Sequence, residues 1–327
     1  MGGMKALALI GGFGTRLRPV TYTVPKQLIP IAGKPMLYHV LDLLPPDIEE
    51  VVLATGYKAD LIAEYVRAHP ARWPIRTVPE AEPLGTGGGM KNAGDGMSDP
   101  FLLLNSDVIA SADLPAMIAE NARHGGIGTM ALFEVEDVRP YGVADLTPED
   151  RIVGFVEKPE PEAAPSRWIN AGIALWSRRV LDRIPPGRAV SFEREIVPGL
   201  LAEGVYGHRV RGYWDDAGSP DRLLNAQRLL FEDHRGGKGG VPPGAFGSGP
   251  VAAMSGARAS GASFGKYVTL GPNSTVEVGA YVENSILMDG VHVEREAHIT
   301  NSLLGPRVRV RAGHRVTGQV VGEAVEV

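Results

Sequence analysis

The chain of 327 residues carries 33 Lys plus Arg against 38 Asp plus Glu, a formal charge of −5, and is 44% hydrophobic. A mildly acidic chain with no basic block offers no track for a nucleic-acid backbone, and its apolar content suffices for a buried core, with length setting a soft prior of about two domains. Cysteine is absent, which excludes disulfides, thiolate zinc sites and cysteine nucleophiles.

Residues 1–5 lead directly into a short apolar strand without the parts of a signal peptide, and no later apolar run reaches membrane-spanning length. The expectation is a soluble cytoplasmic protein with neither a membrane nor a nucleic-acid partner. The first strand, over 6–10, breaks into glycines at Gly11, Gly12 and Gly14. Glycine admits positive φ and lets backbone N–H groups approach an anion with no Cβ in the way. Arg16, Arg18 and Lys26 bring three cations to the same turn, and a backbone cradle with fixed cations suits a polyphosphate. The dinucleotide motif wants a third glycine where Leu17 stands, and the Gly-Lys-Ser/Thr of the Walker A motif occurs nowhere.

Up to about residue 227, short apolar runs alternate with amphipathic ones, the βαβ rhythm of an α/β fold with a mostly parallel sheet covered by helices. The patterns predict strands over 6–10, 51–55, 75–78, 101–104 and 129–134, and helices over 35–44, 60–67 and 114–122. Open α/β sheets bind ligands at the carboxyl ends of their strands. Asp107 stands at such an exit, after Asn105-Ser106, and an aspartate leaving a buried strand toward phosphates is a natural Mg²⁺ ligand. Before it, Pro79-Glu80-Ala81-Glu82-Pro83-Leu84-Gly85-Thr86 draws the backbone toward a flat ligand and opens a helix. A carboxylate at Glu80 or Glu82 can accept both N1–H and N2–H of guanine, whereas thymine and uracil offer one N–H between two carbonyl oxygens.

Tyr141-Gly142-Val143 then introduces a strand, Phe155-Val156-Glu157-Lys158-Pro159 ends another, and Ile169-Asn170-Ala171-Gly172-Ile173 begins a third. One carboxylate accepts from two vicinal hydroxyls, and one ammonium neutralises a phosphate about to act as a nucleophile. Trp214-Asp215-Asp216-Ala217-Gly218 follows, and Ser219-Pro220 opens a helix to residue 229 with a good N-cap. Residues 233–263 turn to Gly, Pro, Ala and Ser, including Gly236 to Gly240, and read as a linker. Within them Gly261-Ala262-Ser263-Phe264-Gly265 matches a serine-hydrolase elbow by chance, lacking its strand-turn-helix context. The last segment repeats at an offset of 17: Asn284, Leu287, Val293 and Ile299 recur as Asn301, Leu304, Val310 and Val316. One step back, Leu270, Val276 and Val282 take the same places. Aliphatic residues about every six places indicate a short parallel β-helix of hexapeptide type.

The stretch Leu9-Ile10-Gly11-Gly12-Phe13-Gly14-Thr15-Arg16-Leu17, with Pro25-Lys26 at its spacing, resembles the signature of the sugar-nucleotide pyrophosphorylases, the nucleoside triphosphate:sugar-1-phosphate nucleotidyltransferases; Ile10 stands where that family usually has alanine. Leu104-Asn105-Ser106-Asp107 and Pro83-Leu84-Gly85-Thr86 resemble its mannose-1-phosphate guanylyltransferases, while Lys26-Gln27-Leu28-Ile29-Pro30 looks more like its thymidylyl branch. The resemblance implies a Rossmann-like mixed-sheet nucleotidyltransferase domain over 1–232, a linker over 233–263 and a left-handed β-helix over 264–327. It implies in-line attack of a sugar 1-phosphate on the α-phosphorus of a nucleoside triphosphate, GTP and mannose 1-phosphate giving GDP-mannose and pyrophosphate. By resemblance, Leu9, Gly11, Gly12, Gly14, Thr15, Glu80 and Gly85 bind nucleotide, Arg16, Lys26 and Lys158 serve catalysis, and Gly142, Glu157, Lys158 and Asn170 hold the sugar phosphate. Mg²⁺ falls to Asp107 and Asp216, with Asp215, in a usually apolar position, leaving open which carboxylate coordinates. Glucose-1-phosphate thymidylyl or uridylyl transfer is the alternative within the family. From other classes come a hexapeptide acyltransferase using His292, His298 or His314, and a non-catalytic regulatory subunit. The second is disfavoured because Arg16, Lys26, Asp107, Lys158 and Asp216 are all present. A β-helix edge or the linker would serve a homo-oligomer.

Overall fold

Short apolar runs separated by amphipathic stretches must cover both faces of a sheet with helices, and the computed structural model, which describes residues 3–233, 242–247 and 249–327, does so. Chain contacts divide it into two units, Met1–Gly12 with Val40–Trp214, and Phe13–His39 with Asp215–Val327.

The sheet of the first unit has, among the described residues, nine strands: β1 (Lys5–Ile10), β2 (Glu50–Thr55), β3 (Ile75–Pro79), β4 (Phe101–Asn105), β5 (Gly128–Glu134), β6 (Gly142–Leu146), β7 (Ile152–Glu157), β8 (Trp168–Trp176) and β9 (Val205–Arg209). Their order is β7-β6-β8-β4-β1-β2-β3, with β5 on β8 and β9 on β5. β4, β1, β2 and β3 run parallel, and β8 joins β4 antiparallel, which makes the sheet mixed. Leu7, Val52, Phe101, Met130 and Trp176 fill its core. The five predicted strands are present, with ends displaced by a residue. The helix predicted over 35–44 shrinks to α1 (Met36–Leu41), because Lys34–Pro35 pairs with Pro30–Ile31 as a hairpin and so is taken from the helix. α2 (Ala59–Ala68), α3 (Gly85–Ala93), α4 (Leu114–His124) and the single turn α5 (Val197–Leu200) complete this part, and β9 was not foreseen.

In the second unit, residues 13–39 form three short 3₁₀ turns and that hairpin, and they fold together with α6 (Pro220–Glu232) and a parallel β-helix. The 17-residue step read in the sequence is the step of the coils: Leu270 pairs with Leu287, Val276 with Val293 and Val282 with Ile299. The coils start earlier than the repeat alone shows. Phe246 pairs with Ser263, Val251 with Val268 and Arg258 with Thr275, so residues 246–247 and 249–259 pair with the coils rather than reading as linker. Their inward positions include small residues, Ala259 and Ala262, which hide the aliphatic period. Residues 234–241, with Gly236 to Gly240 of the predicted linker, lie outside the described residues.

By their contacts, residues 13–39 group with α6 and the β-helix. Gln227 of α6 explains why. It is fully buried, its amide oxygen accepts from Ala32 N (3.4 Å) and Thr269 Oγ1 (2.5 Å), and its amide nitrogen donates to Tyr267 O (2.7 Å). A buried donor or acceptor left without a partner costs about 1–3 kcal/mol. Gln227→Leu should therefore destabilise this unit by about 3 kcal/mol, read as a lower midpoint for loss of structure on heating; an unchanged midpoint would mean that Gln227 holds nothing.

Candidate active site

The glycine loop leaves β1 beside the ends of β2 and β4. Glu80, just after β3, reaches back over this corner: its Oε1 lies 2.9 Å from where a Cβ on Gly11 would stand and 2.5 Å from where one on Gly56 would stand. Its Oε2 accepts from Leu84 N (3.2 Å), and burial raises its pKa against that bond. Glu82 is exposed. Of the two glutamates read as candidates, the fold seats Glu80 beside Gly11 and leaves Glu82 in solvent. Gly85 has φ +69° and opens α3, and the loop is braced where Val190 N donates to Leu84 O (2.8 Å) and Gly87 N to Val190 O (2.9 Å). Leu9 pairs with Asn105, and Ser106 Oγ donates to Leu9 O (2.6 Å), which holds the turn carrying half-buried Asp107 against the end of β1.

The sugar-phosphate candidates gather on three neighbouring strands. Gly142 of β6 is in register with Glu157 of β7, and Ile169 of β8 is in register with Val143. A Cβ at Gly142 would strike the Phe155 ring and come within 2.7 Å of Glu157 Oε2, so glycine is what lets the carboxylate lie on the backbone. Burial raises the Glu157 pKa, the nearby Glu193 adds to this, and Lys158 and Arg194 act against it. Lys158 is left-handed (φ +53°), its N–H bonded to Tyr141 O (2.8 Å) and its ammonium 3.9 Å from Glu157 Oε1. β8 bulges between Asn170 and Ala174, and Asn170 Oδ1 accepts from Gly172 N (3.0 Å). Trp214 braces this end, donating to Ala171 O (2.9 Å) with Tyr141 edge-on to it. Neither Trp214 as a brace nor Glu193 was picked out from the sequence.

The second unit gathers the other candidates. Gly14 (φ +61°) packs so closely that a Cβ would lie 3.3 Å from Lys26 Cβ, and Thr21 Oγ1 donates to its carbonyl (2.8 Å). Thr15 and Arg16 are exposed. The Arg16 guanidinium lies over Gly218, where any Cβ would collide with it, two residues from Asp216. Asp215 and Asp216 separate here. Asp215 is buried, with Oδ1 taken by Arg222 Nε (2.7 Å) and Oδ2 by Asn225 Nδ2 (2.5 Å). Asp216 is half-buried and pairs with the same Arg222 nitrogen (2.6 Å). Asp215 thus anchors α6, and Asp216 shares its arginine. On the β-helix, His292 bonds Glu277 (2.7 Å), His298 sits in a ladder between Tyr281 and Arg315, and His314 is exposed.

Residues 5–233 match the nucleotidyl transferase family model and residues 249–327 the model described as the GMPPB C-terminal domain. The chain is 36% identical over 311 residues to the mannose-1-phosphate guanylyltransferase of Mycobacterium tuberculosis, covering 89% of this chain and 81% of that protein. It is 34% identical over 307 residues to mannose-1-phosphate guanylyltransferase 1 of Arabidopsis thaliana, covering 89% and 83%. Among solved structures, HddC from Yersinia pseudotuberculosis complexed with GMP-PN aligns with a TM-score of 0.60 at 28% identity, over 69% of this chain and 99% of that one. The chain belongs to the nucleotidyl transferase family, and it is a sugar-1-phosphate nucleotidyltransferase by its kinship.

The contact of Arg16 with Gly218 is testable by itself. Gly218→Ala should displace the guanidinium and lower kcat roughly 10- to 100-fold, the scale set by misplacing a group by about 1 Å, with the melting temperature unchanged. Wild-type turnover in a folded Gly218→Ala would detach Arg16 from the reaction.

Proposed function

We propose that the protein joins GTP and mannose 1-phosphate to give GDP-mannose and pyrophosphate. The observation that carries this reading is the likeness along 89% of the chain to enzymes of that name, spanning both the sheet and the β-helix. Seating Glu80 beside Gly11 supports guanine, since a fixed carboxylate there accepts two N–H donors of that base and repels the carbonyl edges of thymine and uracil.

The reaction needs positioning and neutralisation of charge rather than a protein nucleophile. The oxygen of the sugar phosphate attacks the α-phosphorus as the bond to pyrophosphate breaks. Lys158 orients and neutralises the attacking phosphate, Glu157 and Asn170 hold sugar hydroxyls, and Gly142 lends its backbone. Lys26 holds the triphosphate, while Arg16 and the N–H groups of Gly11, Gly12, Gly14 and Thr15 take up the charge that grows on the departing pyrophosphate. Leu9 and Gly85 contribute backbone to the nucleoside. Among the described residues no three His, Asp or Glu are gathered into a metal cage. Mg²⁺ takes one or two carboxylates and completes its shell with phosphate oxygens and water, so the donor set fits: Asp107 and Asp216 would hold it, and it would supply neutralisation of phosphate charge.

The second reading, thymidylyl or uridylyl transfer to glucose 1-phosphate, draws on Gln27 after Lys26 and on a structure titled as a putative glucose-1-phosphate thymidylyltransferase from Bacillus anthracis, TM-score 0.62 at 26% identity. Gln27 is 2% exposed, however, so that side chain faces protein and does not read a base. A matrix of nucleoside triphosphates against sugar 1-phosphates, read by pyrophosphate release, should be led by GTP with mannose 1-phosphate. Preference for dTTP or UTP would overturn the guanylyl reading.

Glu157 supplies a pH test. Its carboxylate accepts hydroxyl hydrogens only when ionised, and burial lifts its pKa above the ordinary glutamate value. On acidification, kcat/KM for the sugar phosphate should fall at a pH above that value, because the free enzyme takes up the proton there. Glu157→Gln should lower the plateau and remove that acid limb; an identical limb in the variant would assign the titration elsewhere.

A further inference from the structure

Glu193 stands outside every motif that directed attention to the site. It lies in the irregular turn Phe192–Ile196, half-buried, and caps nothing there: the turn's first N–H groups are served by Ser191, whose Oγ accepts from Arg194 N (3.3 Å). Its carboxylate is fixed from a distant part of the chain. Thr86 Oγ1 donates to Glu193 Oε2 (2.6 Å) and accepts from Phe192 N (2.9 Å), so the threonine hydrogen is committed to the glutamate. Ser191 Oγ adds a longer contact to the same oxygen (3.4 Å). Oε1 has no protein partner among the described residues.

The surroundings say what that oxygen is for. Glu193 shares the wall of a small cavity with Asn105, Asn170 and Trp176; its volume of about 10 Å³ is room for about one water. The indole N–H of Trp176 is buried without a partner. Across the same end of the sheet lies Glu157, close enough for the two negative charges to be felt. Lys158 stands 3.9 Å from Glu157 and offsets part of the repulsion between the two acids, and hydroxyl donors reaching both would offset more of it. A hexose brings several such donors on one rigid ring.

We infer that Glu193 is a second hydroxyl acceptor for the sugar, acting beside Glu157, and that Thr86 is the residue that positions it. This rests on the reading of the enzyme as a sugar-1-phosphate nucleotidyltransferase. It also ties the two substrates together, since Thr86 belongs to the segment proposed to hold the nucleobase.

The test uses mannose 1-phosphate, its 2-, 3-, 4- and 6-deoxy analogues, and GTP with the full-length enzyme. Glu193→Ala and the equal-sized Glu193→Gln should raise KM for mannose 1-phosphate about 10-fold or more, the loss of one charged hydrogen bond, with KM for GTP changed less than about twofold. At least one deoxy analogue that is penalised by the wild type should carry no penalty in Glu193→Ala, and it should differ from the analogue relieved by Glu157→Gln. Thr86→Val should give a weaker shift, about 3- to 10-fold, in the same pattern. Should Glu193→Ala fail to fold, Glu193→Gln gives the same readout. Unchanged KM in both glutamate variants, or deoxy penalties identical to the wild type, would overturn the assignment and leave the functional reading standing. A wild-type enzyme that releases no pyrophosphate with any sugar 1-phosphate would overturn the functional reading and this assignment with it.

Discussion

A carboxylate can lie on a sheet only where the backbone offers no side chain against it, and the missing Cβ atoms at Gly11, Gly56 and Gly142 are that opening. Glu80 closes over the first two, Glu157 over the third. Each acid loses water by this approach, which lifts its pKa, and each receives little cationic compensation in return: Glu80 has one backbone N–H, Glu157 an ammonium 3.9 Å away. Desolvation of a charge is expensive, so these acceptors are more strongly disposed to take donors from a ligand than solvated glutamates would be. A methyl group at any of the three glycines would move the acid away and allow its water to return.

The cationic part of the chemistry obeys another constraint. Residues 13–39 are 3₁₀ turns and one short hairpin, with few ladder bonds to hold them. Their order comes from α6 and the β-helix. Gln227 fastens Ala32 to Tyr267 and Thr269, Gly33 allows the approach of Ala252, and Gly322 that of Pro19. The β-helix therefore works as a frame for the loop that carries Arg16 and Lys26. A stiff solenoid suits that task, because each coil is held by its neighbours through continuous parallel ladders.

The parts legible in the sequence were those set by local rules. Strand ends came from apolar runs bounded by glycine and proline, the coil step from repeated aliphatic places, and the break after the first strand from its glycines. Choices depending on distant residues were illegible. Glu80 and Glu82 are alike in sequence, and what separates them is Gly56, just past the end of another strand. Glu193 reads as one acid in an ordinary amphipathic run, since Thr86, which fixes it, is 107 residues away. The first coil of the β-helix reads as linker because Ala259 fills the inward place that Val276, Val293 and Val310 fill later.

Asp215 and Asp216 show how local geometry settles such a choice. Of these two neighbours only one is buried. It is Asp215, and both its oxygens are consumed by Arg222 and Asn225 of α6. Arg222 reaches Asp216 with the same nitrogen, so one guanidinium balances two carboxylates. Asn225 also serves Asp215, so the anchor of α6 does not rest on Arg222 alone. The two aspartates thus divide: Asp215 fastens the helix that carries Gln227, and Asp216 shares its guanidinium.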